Sequence, residues 1–146
     1  MARTSTYLNF MGNTEEAFTF YASVFKTQFS GPIQRMRDVP AGPGMPPLSD
    51  AEKNMVMHVE LPILGGHVLM GTDALESMGH ALTFGTNVSI NLEPDTRAES
   101  ERLFQALAAG GKVTMDLQYM FWGAYFGTLT DKFGVQWMLN YAETKK

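Results

Sequence analysis

The sequence predicts an α+β protein made of two βαβββ modules related by a pseudo-twofold axis. Three observations carry that prediction. The order strand, capped helix, strand, strand, glycine turn, strand runs along the chain twice. Residues repeat within that order: Leu8-Asn9-Phe10 corresponds to Ile90-Asn91-Leu92, Asn13-Thr14 to Asp95-Thr96, and Phe20-Tyr21 to Leu103-Phe104 after a one-residue slip. Gly66 corresponds to Gly134, with Met70 and Met138 each four residues further on. A repeat of this size implies two units that bury a shared core. The third observation is the stretch from Tyr119 to Tyr141, which holds both tryptophans, three of the five tyrosines and three of the ten phenylalanines. Glycines 123, 127 and 134 divide it into two strands and a turn, whose aromatic surface must be buried or line a pocket.

Each element follows from local pattern. Thr6 to Met11 alternates, with Leu8 and Phe10 on one face and Tyr7 and Asn9 on the other, as a half-buried strand does. Gly12 ends it. Asn13 precedes Glu16 at capping-box spacing, and Ala17, Phe20, Tyr21, Val24 and Phe25 then mark the apolar face of a helix. Phe29 to Arg37 reads as a second strand weakened by Pro32. Residues 38–54 carry four prolines and two glycines and read as a long loop, either a solvated connector or a lid. Met55 to Ile63 is a strand with Met57, Val59 and Leu61 on one face and His58 and Glu60 on the other. Gly65-Gly66 makes a turn, His67 to Met70 returns, and residues 71–86 read as a connector.

The pattern then restarts. Asn87 to Leu92 is an alternating strand, and Thr96 and Glu99 form a capping box. Leu103, Phe104, Leu107 and Ala108 give the apolar face of a helix ended by Gly110-Gly111, and Val113 to Leu117 is strand-like. Module one spans about residues 1–72, the connector 73–86 and module two 87–146, within one domain.

Bulk composition narrows the function. The chain of 146 residues is 45% hydrophobic and 18% charged, as expected of a soluble globular domain. Net charge is −4, from 11 basic and 15 acidic residues with no basic run, which disfavours nucleic-acid partners. Without cysteine there is no disulfide, thiolate nucleophile or cysteine zinc site, which fits a reducing, cytoplasmic compartment. No apolar run follows Arg3, and none is long enough to span a membrane.

The blocks Tyr7-Leu8-Asn9-Phe10, Glu16-Ala17-Phe18, Phe20-Tyr21 and Gly66-His67-Val68-Leu69-Met70-Gly71 fill the first half of this pattern. Met120-Phe121-Trp122-Gly123, Tyr125-Phe126-Gly127 and Asp131-Lys132-Phe133-Gly134 with Trp137 fill the second. Together they resemble the vicinal oxygen chelate superfamily of glyoxalases, bleomycin-resistance proteins and extradiol dioxygenases, and within it the PhnB-like group. The resemblance covers nearly the whole chain. It implies a curved mixed sheet forming a cup, with helices outside and the active site inside, and a homodimer.

The resemblance also implies a divalent metal held by His and Glu on the first and last strand of each module. The corresponding positions here are Ser5, Met70, Asn87 and Met138, and the neighbours Thr6, Leu69, Val88 and Trp137 are no better. Divalent metals of this kind need carboxylate or imidazole ligands, so no metal and no cofactor are expected at the superfamily site. His58, His67 and His80 are too dispersed to replace it. His67 is expected to be hydrogen-bonded and partly buried, and His80 exposed.

Candidate catalytic residues are His58 and Glu60, which alternation puts on one strand face. The alternative is a solvated outer face. Candidate binding residues, placed by parity and by the resemblance, are Tyr7, Asn9, Asn91, Gln136, Met138 and Asn140, an amide-rich floor with a methionine wall. Trp122 and Tyr125 either stack on a ligand or fill the core, with packing favoured for Trp122. Gly42-Pro43-Gly44 does not follow a strand and is no dinucleotide fingerprint, and no cradle for a methyl-donor cofactor is visible. Three functions fit. One is a metal-free protein binding a small polar or aromatic molecule. The second is a lyase or isomerase using His58 and Glu60, with or without a divalent metal recruited from outside the superfamily positions. The third is a ferredoxin-like dimeric interaction module.

Overall fold

The structure, a computed structural model, describes residues 2–40, 42–44 and 46–142. The chain divides into two compact units, Met1–Thr83 and Phe84–Lys146. Each contains one four-stranded mixed sheet with the same strand order. Among the described residues no helix is long and apolar enough to cross a membrane.

In the first unit β1 (Thr6–Phe10) leads into α1 (Thr14–Phe25). β2 (Gln34–Arg35), a short helix α2 (Asp50–Asn54), β3 (Val56–Pro62) and β4 (Val68–Asp73) follow. The sheet order is β1-β4-β3-β2. β1 runs parallel to β4, and the other neighbours are antiparallel. Ala17, Phe18, Tyr21, Val24 and Phe25 of α1 are buried together with Phe10, Val59, Leu61 and Leu69 of the sheet. Phe18 takes the central place expected of Phe20, which is only partly buried. The reason lies on β4. A methyl group on Gly71 would stand 2.5 Å from Cε1 of Phe18, so the missing side chain admits that ring.

Asn13 is the residue preceding α1, but its side chain makes no capping bond. Asp73, at the far end of β4, does that work. Its Oδ1 accepts from the Gly12 amide (2.9 Å), the Thr14 amide (3.0 Å) and the Thr14 hydroxyl (2.6 Å). Its Oδ2 accepts from the Val56 amide at 2.8 Å. One buried carboxylate thereby ties β1, α1 and β3 to β4 and meets the helix N-terminus with negative charge.

Other expectations are corrected in this unit. The strand expected over 29–37 forms only at Gln34–Arg35, followed by a 3-10 turn, Met36–Asp38. The loop expected over 38–54 includes Ala41 and Met45, which lie outside the described residues, and ends in α2. Ser49 accepts from the Glu52 amide and Glu52 from the Ser49 amide, a capping box that starts α2. The returning strand runs to Asp73 and does not stop at Met70, so the connector is shorter than expected.

The second unit repeats the plan. β5 (Ile90–Leu92) is followed by α3 (Arg97–Ala108), β6 (Lys112–Tyr119), β7 (Ala124–Thr130) and β8 (Gln136–Ala142). The order is β5-β8-β7-β6, with β5 and β8 parallel. β5 is half the length alternation suggested. The Thr96 hydroxyl caps α3 by accepting from the Glu99 amide, whereas the Glu99 carboxylate pairs with Arg102 at 2.7 Å. Leu103, Phe104 and Leu107 are buried, as are Leu129, Trp137 and Leu139 of the sheet. A buried aspartate again organises the turn. Asp131 accepts from the amides of Phe133 and Val135 and, through Oδ2, from the Trp137 indole at 2.8 Å.

Candidate functional site

In the first unit strand alternation separates two sheet faces. Phe10, Val59, Leu61, Leu69 and Gly71 are buried in the core with α1. The opposite, open face carries Tyr7, Asn9, Met70, Thr72, His58 and Glu60, all exposed or half-buried. The register places Tyr7 and Glu60 on either side of Met70, and Asn9 beside Thr72.

Three of these side chains form a chain. The Tyr7 hydroxyl lies 3.0 Å from Nδ1 of His58, and Nε2 of His58 lies 2.9 Å from Oε2 of Glu60. An ionised carboxylate can only accept, so Glu60 selects the tautomer with hydrogen on Nε2. Nδ1 then accepts the Tyr7 hydroxyl. Burial, and then the charge of Glu60, push the Tyr7 phenol above its ordinary value, which keeps it protonated as that donor. Tyr7 reaches His58 across β4.

Two cavities adjoin this face. One of about 190 Å³ is lined by Gln34, His58, Glu60 and the Ser30-Gly31-Pro32 segment. The other, of about 590 Å³, has Asn9 and Thr72 among its lining, with Met36, Leu75, Met78, His80 and Leu82. No lysine or arginine is among its described lining residues. His80 is exposed and accepts the Leu75 amide at Nδ1, and His67 is half-buried with Nε2 at 2.9 Å from the Thr6 hydroxyl.

In the second unit Asn91, Met138 and Thr128 lie in one line across the sheet, and Asn140 pairs with Phe126. Two of the expected amides have partners of their own. Gln136 donates to the Val88 carbonyl at 2.6 Å, and Asn91 donates to Glu93 at 2.8 Å. Trp122 sits in the β6–β7 turn, 53% exposed, edge-on to Phe126 at 5.8 Å. The packing expected of it is thus not observed, because the turn from Met120 to Gly123 points it outward.

Tyr125 is set apart from the other candidates. It is buried, and its hydroxyl donates to Glu101 of α3 at 2.8 Å. Arg97 lies over its ring at 4.7 Å and over Tyr119 at 5.2 Å. Burial first, then the bond to Glu101, raise its phenol. The structure therefore gathers Tyr7, Asn9, His58 and Glu60 in one unit. It gathers Asn91, Gln136, Met138 and Asn140 in the other, with Trp122 at the edge. Thr72 and Met36 were missed by sequence reasoning. Continuing the alternation of β4 past Gly71 would have found Thr72; nothing local marks Met36.

The donors at the superfamily metal positions do not fit a divalent metal. The Ser5 hydroxyl donates to the Met70 sulfur at 3.7 Å, so a hydroxyl and a thioether satisfy each other there. Among the described residues no three histidine, aspartate or glutamate side chains are grouped to hold a metal ion.

Two βαβββ units with identical strand order define the vicinal oxygen chelate fold. A glyoxalase/bleomycin resistance protein/dioxygenase family enzyme from Burkholderia phytofirmans shares it with a TM-score of 0.61 at 18% identity, over 94% of this chain and 97% of its own, a likeness of fold alone. Within that fold the chain belongs to the PhnB-like family described as 3-demethylubiquinone-9 3-methyltransferase, whose model matches residues 2–140. Protein YjdN of Escherichia coli is 33% identical over 146 residues, covering 93% of this chain and 92% of its own. Protein PA1353 of Pseudomonas aeruginosa has a TM-score of 0.83 at 35% identity, over 99% of this chain and 100% of its own. A putative 3-demethylubiquinone-9 3-methyltransferase, PhnB protein, from Bacillus cereus has a TM-score of 0.75 at 31% identity, over 97% and 100%.

Proposed function

We propose that the protein binds a small neutral molecule, polar or aromatic, on the open face of its first sheet, without a metal at the superfamily positions. The observation that carries this reading is the cavity of about 590 Å³ beside Asn9 and Thr72. Its volume suits a drug-sized molecule. Methionine and leucine supply apolar walls that adapt to a ring, and the Asn9 amide supplies a donor and an acceptor. With no cation in the described lining, an anionic ligand would lose its hydration without replacement.

Methyl transfer, which the family's description names, is not part of this reading. A bound cofactor phosphate or carboxylate is commonly held by free amides at a helix N-terminus. Here Asp73 accepts from the first amide of α1, that of Thr14, and the Thr96 hydroxyl caps α3. The chain is further proposed to form a homodimer, supported by the exposed apolar residues Tyr119, Phe121 and Trp122 around the β6–β7 turn. Equilibrium sedimentation tests this, and a monomer at micromolar concentration refutes it.

Ligand-observed NMR with a set of neutral aromatic amides and phenols, and benzoate as an anionic control, tests the site. Several neutral compounds should bind, benzoate should not, and Asn9→Leu should weaken the binders at least fivefold. If no compound separates the wild type from Asn9→Leu, the reading is wrong.

A further inference from the structure

We infer that His80 is the second hydrogen-bond donor of the cavity beside Asn9 and Thr72, and that this cavity selects ring compounds bearing a neutral acceptor oxygen, such as aryl ketones. The inference rests on the binding reading above and deepens it, naming the group on the ligand and the side chain that recognises it.

More than half of the described lining of this cavity comes from one short stretch after β4, Ala74 to Leu82. Its regular structure is a single 3-10 turn, Glu76–Met78. Leu75 and His80 close the stretch by exchanging two bonds. The Leu75 amide donates to Nδ1 of His80 at 3.0 Å, and the His80 amide donates to the Leu75 carbonyl at 3.2 Å. The Met78 amide shares that carbonyl at 3.0 Å, and Gly79, at φ 80°, turns the chain back in a conformation that favours glycine. Leu75 is buried, so its N–H needs an acceptor, and the imidazole supplies it.

That bond sets the chemistry of the ring. A nitrogen that accepts an N–H carries no hydrogen, so neutral His80 holds its hydrogen on Nε2. Nε2 has no partner among the described residues. His80 thus brings to the cavity lining a donor with no acceptor, on a ring anchored through its other nitrogen.

The rest of the lining leaves one further donor. The Thr72 hydroxyl donates to the Val56 carbonyl at 3.3 Å, and the Asp73 carboxylate already accepts four bonds. The methionine and leucine side chains have none to give. Asn9 remains, its side-chain amide also without a partner among the described residues. Two free donors, one from β1 and one from the stretch after β4, suit an oxygen with two lone pairs. A carboxylate would meet two neutral donors and no cation, too little to replace its hydration. A hydrocarbon of the same shape would leave both donors unpaired, and a site built to hydrogen-bond its ligand rejects such an analogue strongly.

Acetophenone and its hydrocarbon isostere α-methylstyrene test the assignment by ligand-observed NMR titration. Wild type should bind the ketone at least tenfold more tightly. An asparagine side chain reaches the Nδ1 position and keeps an acceptor for the Leu75 amide, whereas glutamine reaches the Nε2 position and keeps a donor. His80→Asn should therefore weaken acetophenone at least fivefold and leave α-methylstyrene within twofold. His80→Gln should bind the ketone at least twofold more tightly than His80→Asn. A merely loosened wall would weaken both compounds alike. Long-range ¹H–¹⁵N NMR at pH 8 should show hydrogen on Nε2 of His80, and acetophenone should shift that resonance more than Nδ1. Hydrogen on Nδ1, equal binding of the two compounds, or ketone binding indifferent to His80→Asn overturns the inference. If Asn9→Leu still weakens the neutral compounds in that case, the binding reading stands; if no compound binds, that reading fails and the inference fails with it.

Discussion

Replacing Asp73 should be among the most destabilising changes in the first unit, and the size of the loss can be worked from its four bonds. The residue is 3% exposed and accepts from the amides of Gly12, Thr14 and Val56 and from the Thr14 hydroxyl. Asp73→Asn keeps the shape but offers one acceptor oxygen. Turned toward Gly12 and Thr14, the amide points its NH₂ at the Val56 N–H, which is then buried without a partner. An unsatisfied buried donor costs about 1–3 kcal/mol, and weakening three charge-assisted bonds adds to it, so a loss of about 2–4 kcal/mol is expected. Asp73→Ala strands every donor. Gly12 is exposed and can turn to water, but Thr14 and Val56 are buried. About 3–6 kcal/mol follows, a large part of the 5–15 kcal/mol that typically separates folded from unfolded chains. Urea unfolding followed by far-UV circular dichroism measures both. A change below about 0.5 kcal/mol for Asp73→Asn would refute the claim that this carboxylate holds the unit together.

Gly71→Ala should cost about 1–3 kcal/mol or more by overpacking, since the new methyl stands 2.5 Å from the Phe18 ring. Phe18→Leu in the same chain should recover part of that loss, and no recovery in urea unfolding would count against the contact. Arg35 holds the Glu15 carboxyl below its usual range, first through a hydrogen bond at 2.9 Å and then through its charge. A carboxyl lowered in the folded state stabilises above its unfolded pKa, and that contribution is lost as pH falls through the folded value. The pair is exposed, so screening leaves it under about 1 kcal/mol. Arg35→Gln should move the Glu15 titration midpoint upward by NMR, and an unmoved midpoint would exclude the pairing. Acrylamide should quench Trp122 strongly and Trp137 barely, because they are 53% and 0% exposed. Equal quenching in Trp122→Phe and Trp137→Phe variants would contradict the outward turn.

Much of the fold is readable because it is local. Leu8-Asn9-Phe10 and the His58–Glu60 pair show period two, and Thr96 announces its helix with a cap. The repeat supplied the order of elements twice, and the strand order of the two sheets agrees with it. Where readings failed, a partner distant in sequence outweighed a local signal. Asn13 has the right spacing to cap α1, but Asp73, 59 residues beyond Thr14 in the chain, brings a charge to the Gly12 and Thr14 amides instead. Phe20 fits the helical period as well as Phe18 does, and only the bare Cα of Gly71 decides between them.

The same division holds for the candidate site. Alternation by itself put Tyr7 with Asn9, and His58 with Glu60, on common strand faces, because side chains on a strand have period two whatever lies beside it. Residue chemistry by itself made the superfamily metal positions unfit, since Ser5, Met70, Asn87 and Met138 offer no carboxylate or imidazole. Which faces meet is a matter of register between strands far apart in the chain. Only the parallel pairing of β1 with β4, and the antiparallel pairing of β4 with β3, brought Tyr7 within reach of His58. Register likewise set Tyr125 beside Tyr119 and over to Glu101, away from the amides of β8. Periodicity is written into each strand, but a one-residue change of pairing would reverse every such face.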